Sequence, residues 1–357
     1  MPLPAAVSAD YLARVPKVDL HVHLEGAIRP ERFVQILRRH GLHPHLREPA
    51  DVAWLFQHTT FTEFLDHFRF VVTSWRDVQD VHDVALDLFR DLCAQNVAYA
   101  EVLFSAATFV RAGMPWDELL DAVGRAQHTA IAAWRRDQPH AALVPRFRCV
   151  LDLVRNFGAD FAVQQAEWIA TAAPEGVVGI HLGGNEAAFP ARLFVDAFRI
   201  AQQAGLGLAA HAGEGDGAAS VRDAIERLGV QRVGHGVRGA EDPGLVREIA
   251  ARGVTLEVCP TSNQSTGVVP ALAEHPLRRF LEAGVRVTIG SDDPSYFDTD
   301  TTRELRLVHE HFGVDLDGVD ALVDNGLRAS FQGEPERTLL LEAFAAERRA
   351  LRAELGV

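Results

Sequence analysis

Two imidazoles one residue apart are the first residues in this chain able to do chemistry. In LHVHLEG, Leu20 to Gly26, polar and apolar residues alternate as in a strand, so His21 and His23 face one side and Leu20, Val22 and Leu24 the other. Neutral imidazoles so placed form half of a metal site. HAGE then supplies His211 and Glu214, GHG supplies His235, and GSDDP supplies Asp292 and Asp293. Three histidines with one carboxylate from the last motif make an N3O set of the catalytic zinc type, with a position left for water. Water on such an ion ionises at a pH of about 7. A positioned base must still manage its proton, and an acid must activate the electrophile. Glu214 and His235 are the candidates, the lesser alternatives being a helix N-terminus for Glu214 and a fourth nitrogen ligand for His235. Adjacent Asp292 and Asp293 would point to opposite faces of a strand, but Pro294 marks the end of that strand. One carboxylate can then reach the metal and the other a substrate donor, the plainer alternative being an Asx turn that caps a helix.

Residues so far apart in sequence need a scaffold that gathers them. Eight β-rich runs recur along the chain: Val18 to Leu24, Val97 to Ser105, Arg146 to Leu153, Val177 to Gly184, Gly207 to Glu214, Arg232 to Gly236, Thr255 to Asn263 and Arg286 to Asp293. Segments of helical periodicity separate them, which is the pattern of parallel α/β architecture. Eight such units, with no GxGxxG after the first strand, predict a closed (β/α)8 TIM-type barrel rather than an open sheet. The C-terminal strand ends of a barrel share one face, and every residue named above falls at such an end. The connection after the first strand is too long for one crossover helix. It holds PERFVQILRRH and FTEFLDHFRFVV and predicts a helical insertion over the barrel mouth, about residues 30–95, within one domain spanning 1–357.

Composition narrows the partners. The chain has 357 residues, 48% of them hydrophobic and 24% charged, as a protein with a large core requires. A net charge of -14 sets the chain against nucleic acid and anionic membranes and favours a small neutral or cationic substrate. Three scattered cysteines make neither a disulfide framework nor a thiolate zinc site, and no signal peptide or long apolar run is evident, so a cytoplasmic protein is expected. HAGEGDGAAS imitates a phosphate cradle, but Glu214 and Asp216 would repel phosphate and no GK[ST] follows. The H-x-E and P-C-x-x-C signature of the other zinc deaminase class is absent.

With those residues in hand, the chain resembles the adenosine deaminase family of the metal-dependent amidohydrolases. PKVDLHVHLEG is similar to the family's opening motif, HAGE to its fifth-strand motif, GHG to its sixth, CPTSN to its seventh and SDDP to its eighth, in the family's order from Pro16 to Pro294. The resemblance implies one zinc held by His21, His23, His211 and Asp292. It implies that His235 orients and deprotonates the attacking water, Glu214 protonates N1 of a 6-aminopurine, Asp293 holds N7, and the backbone of Gly184 receives N3. His23 and Glu25 would also border the substrate. The reaction implied is hydrolytic release of ammonia, with adenosine or deoxyadenosine as first expectation and free adenine or aminodeoxyfutalosine as alternatives. Adenosine-specific members usually carry Asp after HxHL, where it meets the ribose 5′-hydroxyl; this chain has Glu25, which members acting on free adenine can carry. His181 and Asn185 stand where acidic residues are common in adenosine deaminases. A purine-binding protein that has lost catalysis is the rival from another class.

Overall fold

The structure, a computed structural model, describes residues 5–58 and 60–357. Eight parallel strands follow one another in space as they do in sequence: β1 Lys17–His23, β2 Val97–Phe104, β3 Arg146–Val154, β4 Val177–Gly183, β5 Gly207–Ala212, β6 Arg232–His235, β7 Thr255–Val258 and β8 Arg286–Ile289. Each falls within or extends one of the eight runs read from the sequence. The ring closes where β8 meets β1. Asp292 N–H donates to the His21 carbonyl at 2.7 Å, His23 N–H donates to the Asp292 carbonyl at 2.8 Å, and Val22 bridges Asp292 in parallel sense. The protein is thus a (β/α)8 barrel.

Because helices cover the outside and side chains fill the inside, the strands are buried on both faces. All eight residues of β2 are buried. On β1, Leu20 and Val22 are fully buried, and the helix Leu316–Ala329 packs across the β8–β1 seam. Gly326 permits that approach, since a Cβ there would lie 2.8 Å from Val18 Cγ1. At the opposite end from the site, Lys17 donates to the carbonyls of Ala13, Val15 and Gln95 at 2.8, 2.9 and 2.7 Å. Further in, Arg232 lies fully buried between Glu101 and Glu257, each 2.5 Å away. Buried charges of this kind persist only when paired.

Between β1 and β2 the chain forms the helices Pro30–His40, Pro49–Val52, Phe61–Val72 and Val78–Ala94. Asp77 and Asp80 close the last with a reciprocal capping box, and this helix packs on Trp116–Asp137 before leading into β2. The helix Phe61–Val72 turns Phe61, Phe64 and Phe68 toward the C-terminal face of the barrel, where they line a cavity. Among the described residues, no helix is long and apolar enough to cross a membrane.

Candidate active site

The C-terminal face gathers His21, His23, His211 and Asp292, whose ligand-type atoms all lie within 4.8 Å of one another. His21 Nε2 and His23 Nε2 stand 3.7 and 3.5 Å from Asp292 Oδ1. Bonds of about 2.05 Å in a tetrahedron space their donors about 3.3 Å apart, so this separation suits one divalent ion. His21 Nε2 and His211 Nδ1 are buried without a hydrogen-bond partner among the described residues. Leaving such atoms unsatisfied costs about 1–3 kcal/mol each, and an ion bound by His21 Nε2 would remove that cost there. Burial lowers His23 to about 4 and His211 well below its ordinary value, giving the neutral imidazoles that ligation requires. At His21 burial is outweighed by the Glu257 hydrogen bond and the charge of Asp292, which raise it above its ordinary value, so an ion binding there would displace a proton. Burial alone would raise the Asp292 carboxyl, but the imidazoles of His235, His21 and His23 hold it below its ordinary range.

Supporting groups orient these ligands. His21 Nδ1 lies 2.8 Å from Glu257 Oε2, which makes Nδ1–H the donor and leaves Nε2 a bare lone pair facing the cluster. Arg232 keeps Glu257 ionised: burial raises that carboxyl, yet the guanidinium brings it down to about 2. Asp19 accepts from the His21 amide at 3.0 Å, from the Ser291 hydroxyl at 2.7 Å and from the Thr301 hydroxyl at 2.7 Å, tying β1 to the chain beyond β8. Asp292 lies past the end of β8 with φ +61°, a left-handed conformation rare outside glycine.

His235 reaches the site against the alternation of its strand. Gly234 faces inward, its missing Cβ leaving room for His21 Cε1, so the next residue should point outward. A φ of +60° at His235 turns it back. Its Nε2 comes to rest 3.6 Å from Glu214 Oε2 and 3.8 Å from Asp292 Oδ2. A chain of hydrogen bonds then sets its tautomer. Leu277 N–H, which can only donate, points at His275 Nδ1 (3.1 Å); His275 must therefore donate from Nε2 to Asn263 Oδ1 (3.1 Å). The Asn263 amide nitrogen is left to donate to His235 Nδ1 (3.0 Å), which places the His235 proton on Nε2. Burial lowers His235 to about 3 and His275 to about 4, so both rings are neutral.

Two carboxyls are tuned the other way. Burial, then the charges of Asp292 and Glu186, push Glu214 well above its ordinary value, and burial with Asp292 does the same to Asp293. Both are shifted toward the protonated form, as a proton donor requires. Beside them opens a cavity of about 660 Å³, bordered by His23, Glu214, Asp292 and Asp293 and walled by Phe61, Phe64, Phe68 and Phe157. Gly183 and Gly184 form another side, with φ +98° at Gly184.

The same side carries two residues that the sequence did not single out, Asp152 and Ser105. Asp152 Oδ1 meets His181 Nδ1 at 3.0 Å, and Ser105 donates its hydroxyl to Asp152 Oδ2 at 3.0 Å. Burial raises Asp152, but His181 holds it below its ordinary value, so the cavity has an anionic acceptor here. Glu25 is fully buried; Oε1 accepts the Ser105 amide at 2.9 Å, Oε2 has no partner among the described residues, and burial raises the carboxyl to about 8. Gly26 lies in a 3-10 turn, where a Cβ would stand 2.6 Å from Asp293 Cα. Glycine there lets the first strand's loop back directly onto Asp293.

A closed parallel barrel with this cluster at its C-terminal face defines a metal-dependent hydrolase of the amidohydrolase superfamily. The profile of the adenosine deaminase family matches residues 16–347. The chain belongs to that family, whose reaction class is hydrolytic deamination of a 6-aminopurine. It is 37% identical over 327 residues to an adenine deaminase of Rhizobium leguminosarum bv. trifolii, covering 91% of this chain and 97% of that protein. It is 36% identical over 300 residues to an aminodeoxyfutalosine deaminase of Acidothermus cellulolyticus, covering 82% of each. Among solved structures, an amidohydrolase of Burkholderia ambifaria with bound Zn superposes with a TM-score of 0.86 at 27% identity, covering 100% of this chain and 96% of that one.

Proposed function

We propose that this enzyme deaminates free adenine to hypoxanthine and ammonia, using one zinc held by His21, His23, His211 and Asp292. The cavity wall carries this reading. Glu25, with one oxygen on the Ser105 amide and the other buried without a partner among the described residues, is not among the residues that line the cavity. In its place the cavity offers the Asp152 carboxylate beside Ser105 and Gly184, an acceptor suited to the N9–H that only the free base possesses. The 37% identity to an adenine deaminase supports the same choice over adenosine.

A divalent ion held by these four residues would supply an acidified water at the site. The protein's own groups do the rest. Asp293 donates to N7, the Gly184 backbone meets N3, and protonated Glu214 gives its proton to N1 as water adds to C6. His235, with its proton on Nε2, donates to the attacking oxygen and holds it in line. The Glu214 carboxylate takes a proton from that water in exchange. The remaining hydroxyl proton passes to the amine as the C6–N bond breaks, which leaves the 6-oxopurine and ammonia. His235 thus steadies the oxygen, and Glu214 moves the protons.

One observation favours a second substrate. The cavity of about 660 Å³ sits well inside the range of roughly 300–1,000 Å³ that larger ligands fill, and its outer wall is aromatic. That volume suits aminodeoxyfutalosine, the substrate named for the Acidothermus relative. Ammonia release and ultraviolet change should be followed with adenine, adenosine, deoxyadenosine and aminodeoxyfutalosine, on protein of measured zinc content. The highest kcat/KM is expected for adenine; faster turnover of a nucleoside would replace it as the substrate.

A further inference from the structure

The turn after β5 that carries Glu214 directs four successive backbone N–H groups to one side. Such a concavity attracts an anion, and here the anion is a side chain. Glu186 Oε1 accepts from Gly213 at 2.6 Å, while Oε2 accepts from Glu214 at 3.2 Å, Gly215 at 2.7 Å and Asp216 at 3.2 Å. Glu186 is 3% exposed, and a Cβ at Gly215 would lie 3.4 Å from its own Cβ, so loop and side chain are in close contact. A carboxylate has about four acceptor directions and no donor. The loop takes them up, which leaves Glu186 little to offer a substrate.

We propose that Glu186 is a positioning residue whose carboxylate, seated in the Gly213–Asp216 backbone nest, fixes the loop and aims Glu214 at the purine. The inference rests on Glu214 as the acid, as read above. The loop needs such a clamp because its sequence, HAGEGDG, supplies no rigidity: Gly213, Gly215 and Gly217 alternate through it, and glycine has the largest conformational freedom of any residue. Nearby, fully buried Arg155 donates to the His211 carbonyl at 2.6 Å and to the Phe189 carbonyl at 2.7 Å. Its positive charge lies in the field of Glu186 and offsets it. The filled nest also turns away phosphate groups, which would otherwise find four convergent donors beside the cavity.

The test is Glu186→Ala in zinc-loaded protein, with formate as the probe that can refill the nest. With Glu186 gone, kcat should fall about 10²-fold, as expected for a displaced catalytic group, with KM almost unchanged. Hydrogen exchange at the amides of residues 213–216 should quicken by about tenfold or more. Formate at tens of millimolar should restore both kcat and amide protection, and equal chloride should restore neither. Wild-type kcat in the variant, or a loss of kcat with the four amides still protected, overturns the proposal. So does a loss that formate leaves untouched. Should Glu186→Ala not fold, Glu186→Gln keeps the volume but turns an amide NH2 toward N–H donors; unchanged kcat and exchange there would likewise overturn it. If wild-type protein turns over no 6-aminopurine, the functional reading fails, while exchange and formate protection still decide whether Glu186 holds the nest.

Discussion

Replacing Glu257 with Gln would probe how the barrel interior tunes its metal site. In the native chain one oxygen of Glu257 accepts from His21 Nδ1 at 2.8 Å, and the other stands 2.5 Å from Arg232 Nε. A glutamine amide cannot satisfy both. With its oxygen toward His21, its NH2 confronts the guanidinium. With its oxygen toward Arg232, its NH2 donates to His21 Nδ1 and drives the His21 proton onto Nε2, where it blocks the ligand lone pair. Charge-assisted hydrogen bonds contribute about 1.5–3 kcal/mol against roughly 0.5–1.5 for neutral ones, and loss of an outer carboxylate typically weakens metal binding about 10–100-fold. The expected penalty is therefore about 1.4–2.7 kcal/mol in zinc affinity, with a lower melting temperature that excess zinc partly restores. Zinc competition against a chelator of known affinity measures the first, and thermal melts with and without zinc measure the second. Wild-type zinc affinity in Glu257→Gln would refute the argument that this carboxylate sets the His21 tautomer.

Other perturbations follow from the same geometry. Glu214→Gln should keep one zinc per chain while kcat falls about 10³-fold, within the usual range for a lost acid–base group; near-normal turnover would remove Glu214 from the mechanism. Asn263→Asp should accept from both His235 and His275, move the His235 proton to Nδ1 and lower kcat with little change in KM. Nitrogen-15 spectra of the imidazoles report the tautomer, and an unmoved proton would refute the chain of donors traced from Leu277. Burial raises the Glu304 carboxyl from 4.5 to about 7, so the stability it contributes is fully present below pH 4.5 and is lost as pH rises through about 7. That is on the order of 3 kcal/mol. Glu304→Gln should flatten this decline in denaturant titrations from pH 4.5 to 8, and an unaltered slope would show the group to be uninvolved.

The strands were legible because each is a short apolar run carrying polar residues at its C-terminal end. The clustered residues could be read for the same reason: His21, His23, His211 and Asp292 sit at strand ends that a closed ring must bring together. What stayed hidden were acidic residues inside strands. Glu257 in TLEV, Asp152 in RFRCVLDLV and Glu101 in VAYAEVLF interrupt sequences that otherwise read as core. A carboxylate there is too costly to bury unpaired, so each was a signal that an interior partner exists, although periodicity alone could not name it. Glu25 showed the opposite limit. Its motif suggested the cavity, and only three-dimensional packing reveals that one of its oxygens accepts the Ser105 amide and that it stands outside the cavity lining. Nor does the sequence show the left-handed turns at His235 and Asp292, because neither residue type requires them.

The clasp that fastens the last stave of this barrel to the first is Asp292, the same residue whose side chain is proposed to hold the ion. On that proposal, loading the cofactor and tightening the hoop are one act. Emptied of metal, the ring should slacken first along this join, while the opposite staves stay bound, and a chelator would work on the enzyme as a key works on a lock rather than as a general solvent of its structure.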